Sequence, residues 1–146
     1  MSHNVTHYVT FLYDDATILC PTMNILIIDD NEDIAKMLSK YMTIKGHTCS
    51  VVNDGKRGLN LIENKAFDAV ILDLAMPRFS GYDIVDALHK SDKIKNQNIV
   101  TLTASSITDD DELMLKKKRV HSCLKKPIDP EVLLSHIQQF ENLQTL

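Results

Sequence analysis

The stretch NILIIDDNED, residues 24–33, sets an apolar run directly against a group of acids. Ile25, Leu26, Ile27 and Ile28 have the composition of a strand buried on both faces. Asp29 and Asp30 follow without a spacer, and Glu32 and Asp33 come close behind. Neighbouring carboxylates repel each other, and each loses hydration at the edge of a core. A chain that keeps two of them where a strand leaves the interior needs positive charge nearby.

Outward from this stretch, strands and helices alternate. Ile34, Met37, Leu38, Tyr41 and Met42 recur at helical spacing and predict a helix that Gly46 ends. CSVV, residues 49–52, predicts a second strand, and residues from about Asp54 to Lys65 a second helix with Leu59 and Ile62 inward. AVILD, residues 69–73, is apolar up to its last position. Ser80 and Gly81 open a helix with Ile84, Val85 and Leu88 on one face. NIVTLT, residues 98–103, predicts a fourth strand. The helix after it carries Asp109, Asp110, Asp111 and Glu112 near its start and Lys116 to Arg119 near its end, which complements the helix dipole. VHSCL predicts a short fifth strand containing His121. Asp129 then reads as an N-cap and Pro130 as the first helical residue, with Leu133, Ile137 and Phe140 inward.

Five such units with continuous apolar strands imply an α/β fold: a doubly wound five-stranded parallel sheet with helices on both faces. The domain is assigned to residues 23–143. Residues 1–22 hold the β-prone HYVTFLY, the acidic pair Asp14 and Asp15, and Pro21. They read as a poorly ordered N-terminal tail or as an added edge strand, with Met23 an alternative start.

A chain of 146 residues suits one domain with a full core. The net charge of -4 argues against direct binding to nucleic acid, which needs a basic footprint. No apolar stretch is long enough to span a bilayer and the N-terminus lacks a secretory pattern, so a cytoplasmic location is expected. The 3 cysteines, Cys20, Cys49 and Cys123, are dispersed without metal-type or paired spacing, which fits reduced thiols. Cys20 and Cys49 are expected as small buried hydrophobes.

In a doubly wound sheet the functional crevice lies beyond the carboxyl ends of the strands. Asp29 and Asp30 end the first strand, Asp73 the third and Thr103 the fourth, and Leu124-Lys125-Lys126-Pro127 follows the fifth. Three acids, a hydroxyl and a lysine therefore converge on one rim. Lys126 offsets one negative charge and a divalent cation would offset two more. Only hard oxygen ligands are offered, so Mg²⁺ is the expected ion. Mg²⁺ commonly completes its shell with a phosphate oxygen, which makes Asp73 a candidate nucleophile for an acyl phosphate. Plainer readings stand beside these. Asp29 and Asp30 could cap the first helix, Thr103 could be an ordinary strand residue, Glu32 and Asp33 fit first-turn helix acids, and Lys125 fits a solvated neighbour.

IIDD, VILDLAMPRFSG, TLTAS and LKKPID, in this order and spacing, resemble the receiver domain of two-component response regulators, the CheY-like family with a flavodoxin-like (βα)5 fold. The resemblance runs from Met23 to about Phe140. It implies that Asp73 is the phosphoacceptor and that Asp30, Asp73 and the backbone carbonyl of Ala75 bind Mg²⁺, with Asp29 acting largely through water. It further implies that Thr103 is the switch hydroxyl, that Lys126 holds the phosphoryl group, and that the Lys126–Pro127 peptide is cis. A histidine kinase or phosphotransfer protein would be the phosphodonor, and the fourth helix, fifth strand and fifth helix would signal to an effector protein.

The expected function is thus a single-domain response regulator, not a turnover enzyme, with phosphorylation-dependent homodimerisation open to it. A phosphorelay intermediate or phosphate sink is the alternative, and a non-phosphorylated pseudo-receiver scaffold a further one. Three departures from the family pattern stand out. Cys123 replaces the usual aromatic switch residue. Arg119 and Val120 stand where relatives often carry Gly-Ala, and Lys116 to Arg119 could dock an acidic partner. Ala75 and Ser105 flank the expected phosphoryl site, and Ala75 offers no polar hook for a hydrolytic water, which implies slow dephosphorylation. His121 is expected to be structural and without an obvious partner.

Overall fold

The structure, a computed structural model, describes residues 8–13, 16–104 and 107–144, with side chains described for 22–104 and 107–140. Two sheets are present among these residues. Strands β1 (Tyr8–Tyr13) and β2 (Ala16–Pro21) pair antiparallel with each other. Among the described residues before Met23, these two strands form a sheet separate from the main one. Asp14, Asp15 and the Cys20 side chain lie outside the described residues.

The main sheet has five parallel strands: β3 (Asn24–Ile28), β4 (Thr48–Val52), β5 (Ala69–Asp73), β6 (Ile99–Thr103) and β7 (Ser122–Lys125), in the order β4-β3-β5-β6-β7. The helices are α1 (Glu32–Ile44), α2 (Gly55–Asn64), α3 (Gly81–Lys90), α4 (Asp109–Lys117) and α5 (Pro130–Gln144). A short 3-10 turn at Ile94–Asn96, not anticipated from the sequence, precedes β6.

The strands alternate their side chains between two cores. Ile25, Ile27, Ala69, Ile71, Val100 and Leu102 pack against α1 and α5 through Leu38, Met42, Leu133 and Ile137. Leu26, Ile28, Val70, Leu72 and Ile99 face α2, α3 and α4 through Ile62, Ile84, Leu88 and Leu115. Such two-sided burial is why these strands read as unbroken apolar runs. Met37, expected inward, is 43% exposed on the outer side of α1. It lies one position outside the stripe of Ala35, Leu38 and Met42 that meets the sheet.

Local chemistry sets the helix ends. Asn31, Asp54, Ser80 and Thr108 accept from backbone N–H groups in the first turns of α1 to α4, and Asp129 accepts from Glu131 N at the start of α5. α1 ends with Gly46 at a φ of 93°, and the His47 and Gly46 N–H groups return to the Met42 and Thr43 carbonyls. α3 and α4 end in the same hydrogen-bond pattern, but with Asp92 at φ 60° and Arg119 at φ 70° in the left-handed position. At Arg119 this left-handed conformation has a backbone cost of about 1 kcal/mol, which glycine would not incur. Arg119→Gly should stabilise the fold by roughly 0.5–1 kcal/mol in urea unfolding, after allowing for glycine's greater freedom when unfolded.

At the opposite rim, buried His47 accepts a hydrogen bond at Nδ1 from Met23 N at 3.1 Å. A protonated ring could not accept it. Burial holds the His47 pKa below 6.5, against a smaller upward pull from Asp68. The folded state thus prefers the neutral ring, and this contribution is lost as pH falls from the unfolded value toward the native one. Between pH 7.5 and 5.5 the unfolding midpoint of the wild type should fall relative to that of His47→Gln, in which the titrations of all other groups are shared.

Candidate functional site

The strand order reverses direction at β3 and β5, which are hydrogen-bonded neighbours whose crossovers leave toward opposite faces of the sheet. A crevice must open there beyond the carboxyl ends of the strands. Asp29 and Asp30 emerge from β3 and Asp73 from β5, so the chain delivers its acids to that point. One carboxylate oxygen from each of the three lies within 4.8 Å of the other two. Asp29 and Asp73 are buried, at 1% and 2% exposure, while Asp30 is open to solvent.

Lys126 follows β7 and reaches across the rim. Its Nζ lies 2.9 Å from Asp29 Oδ2 and 3.6 Å from Asp73 Oδ2. The nearer approach is an ion pair without hydrogen-bond alignment, so buried Asp29 Oδ2 keeps an unfilled acceptor. Asp29 Oδ1 accepts from Asn31 N at 2.9 Å, and Asp73 Oδ1 from Ala75 N at 3.2 Å. The Lys126–Pro127 peptide is cis. Lys125 is exposed.

The electrostatics follow from these positions. Burial, then the Asp29 charge and a hydrogen bond with Asp30, push the Asp73 pKa up to about 7, against the pull of Lys126 and the Ala75 N–H. The rim thus holds more negative charge than Lys126 can neutralise. The groups present fit a hard divalent cation: the converging donors are all carboxylate oxygens, one of them buried and unfilled. Asp29, Asp30 and Asp73 are the residues that could hold it.

Thr103 is buried at the carboxyl end of β6, and its carbonyl accepts from Lys126 N at 2.7 Å. Ala75 is exposed beside Asp73. Ser105 lies outside the described residues. Gly81 belongs to the support of the site: a Cβ there would stand 2.4 Å from the Asp73 carbonyl oxygen. Cys123 is half-buried with Tyr82 and Ile107 against the core facing α3 and α4, and burial pushes its thiol pKa up. Glu32 and Asp33 lie in the first turn of α1.

Two expectations need revision. His121 precedes β7 instead of lying within it, and it has partners: Nδ1 is 2.6 Å from Ser122 Oγ, and its ring meets Phe140 edge-on at 4.5 Å. Lys116 to Arg119 is not one free basic patch, since Lys116 pairs with Glu112 and Lys118 with Asp86. Sequence reasoning also passed over Asn53, whose amide donates to the Asp29 carbonyl at 2.8 Å. In sequence it reads only as a turn residue before Asp54-Gly55.

The raised Asp73 pKa has a measurable consequence. A carboxyl that binds its proton more tightly when folded destabilises the fold as pH rises from 3.8 to about 7. In chelator, Asp73→Asn should therefore be more stable than wild type at pH 7.5, by an amount on the order of a few kcal/mol, with the gap closing toward pH 4. Equal stabilities at both pH values would show that Asp73 is not strained in this way.

Comparison with known proteins agrees with this geometry. The family model for the response regulator receiver domain matches residues 25–138. The response regulator ArlR of Staphylococcus epidermidis is 32% identical over 115 residues, which cover 79% of this chain and 51% of ArlR. A part of the sensor histidine kinase RcsC of Salmonella typhimurium is 29% identical over 111 residues, 76% of this chain and 11% of RcsC. The chain spans about half the length of several curated relatives. Among solved structures, the chemotaxis response regulator CheY4 of Vibrio cholerae superposes with a TM-score of 0.73 at 27% identity, covering 82% of this chain and 98% of CheY4. The receiver domain of the Francisella response regulator 1452 has the same fold, with a TM-score of 0.77 at 23% identity over 84% of this chain and 99% of that one. The chain belongs to the response regulator receiver domain family.

Proposed function

We propose that this receiver takes a phosphoryl group on Asp73 from a histidine kinase or phosphotransfer protein, in a Mg²⁺-dependent reaction. The observation that supports it most is the meeting of Asp29, Asp30 and Asp73 with Lys126 at the switch point of the sheet. Asp29, Asp30, Asp73 and the Ala75 carbonyl would hold the ion, which when bound offsets the charge of the carboxylates and of the phosphoryl oxygens.

The chain's own groups divide the remaining work. An ionised Asp73 oxygen attacks phosphorus, the P–N bond to the donor imidazole breaks, and the imidazole leaves with the bond's electron pair and takes up a proton. Lys126 Nζ donates to a phosphoryl oxygen with charge assistance, and the Thr103 hydroxyl donates to another. Ala75 N, which donates to Asp73 Oδ1, orients the attacking carboxylate. Burial of Asp29 and Asp73 keeps these interactions in a region of low dielectric, where they are strong.

Phosphorylation then shifts a pre-existing equilibrium of the surface formed by α4, β7 and α5, and an effector protein or a second copy reads the change. The domain takes part in its own phosphorylation and dephosphorylation but does not turn over substrate as an enzyme. The likeness to a stretch of RcsC favours a second reading, in which Asp73 passes the group onward as a relay intermediate.

Incubation with Mg²⁺ and a small phosphodonor should add the mass of one phosphoryl group to the wild type and nothing to Asp73→Asn. An unmodified wild type would leave the scaffold reading in its place. Once phosphorylated, the protein should lose the group slowly, and Ala75→Asn, which adds an amide beside Asp73, should speed the loss about tenfold. Faster loss from the wild type would overturn this role for Ala75.

A further inference from the structure

We infer that Asn53 is a positioning residue for the acidic pair, fixing the peptide between Asp29 and Asp30 so that Asp30 meets Asp73. The inference rests on the proposed Mg²⁺-dependent reading of the site. Asp29 lies one residue beyond β3, yet both polar groups of its backbone are held by the end of β4. Its N–H donates to the Val52 carbonyl at 3.1 Å, and its carbonyl accepts from Asn53 Nδ2 at 2.8 Å. The side-chain amide of Asn53 continues the β3–β4 ladder where the backbone ladder stops.

The consequence falls on Asp30. Asp29 is anchored several times over, by burial, by Asn31 N on Oδ1 and by Lys126 near Oδ2. Asp30 is exposed, and its carboxyl meets Asp73 at the centre of the rim. Its direction is set by the peptide plane that precedes it, and that plane carries the carbonyl held by Asn53. Groups that orient a ligand without touching the ion commonly govern metal affinity about tenfold or more.

Asn53 is itself exposed, and its hydrogen bond to the Asp29 carbonyl is only part-buried. Water can replace it on the Asp29 carbonyl, so its loss should leave the fold intact. This separates positioning from a general structural role. Asn53→Ala should weaken Mg²⁺ binding about tenfold in calorimetry, move the Asp30 amide resonance, and leave the metal-free unfolding midpoint near that of the wild type. Asn53→Asp, which keeps the shape but cannot donate, should weaken binding despite its added negative charge. Asn53→Gln, which keeps a donor, should recover part of the affinity.

A wild type that binds no Mg²⁺ would remove the reading on which the inference rests. A wild type that binds, with Asn53→Ala and Asn53→Asp binding equally well, would overturn the inference and leave that reading standing. Lowered stability matching the lowered affinity in all three variants would also overturn it, by showing a structural role only.

Discussion

The structure turns on the repulsion between buried carboxylates at the junction of β3 and β5. Nothing local favours it. The core imposes it: Ile25 to Ile28 and Ala69 to Leu72 are fully buried, and burying an aliphatic side chain contributes roughly 1.5–3 kcal/mol. Seven of these eight positions carry Ile, Leu or Val, and together they outweigh a penalty of a few kcal/mol at the strand ends. The strands cannot slide to relieve Asp29 and Asp73, because a shift of one residue would exchange the faces of every side chain along the strand.

That constraint leaves the rim short of positive charge. Lys126 lies closer to Asp29 than to Asp73, and Asp73 takes part of its relief through raised proton affinity. Anything that brings positive charge to the rim lowers the free energy of the folded state. Anything that changes the charge on Asp73 alters the forces on Lys126 and, through the Lys126 N to Thr103 carbonyl bond, on the end of β6. The strained rim and the flanks of β6 and β7 are thus parts of one electrostatic unit.

The sequence showed most of this because the relevant signals were local or periodic. AVILD ends as read, at Asp73, because a strand buried on both faces has no apolar-polar alternation to blur its limits. The rim residues Asp29, Asp30, Asp73, Thr103 and Lys126 were legible because the topology carries every strand end to the same side. What escaped was non-local. The Asn53 amide meets a carbonyl 24 positions away, and no spacing rule encodes that distance. The His121 ring likewise meets Phe140, 19 positions away on α5. The helical spacing of Ile34, Met37, Leu38, Tyr41 and Met42 marked α1 itself, but five apolar residues define a wider stripe than the sheet covers.

Cys123 lies at the start of β7, beside the least deeply anchored helix of the fold. Its side chain shares the α3 and α4 side of the core with Tyr82 and Ile107, on the flank of the helix with the thinnest apolar anchorage. Among the described residues of α4 only Leu115 is buried, and four acids occupy its first turn. Much of the remaining hold on α4 is polar, through the Thr108 cap and the Lys118–Asp86 ion pair, with Ile107 and Val120 packing into the core just beyond its ends. A helix tied down by polar contacts moves at lower cost than one tied by core burial. Cys123, smaller than an aromatic residue and only partly buried beside the core on this side of the sheet, presents little bulk against such a displacement.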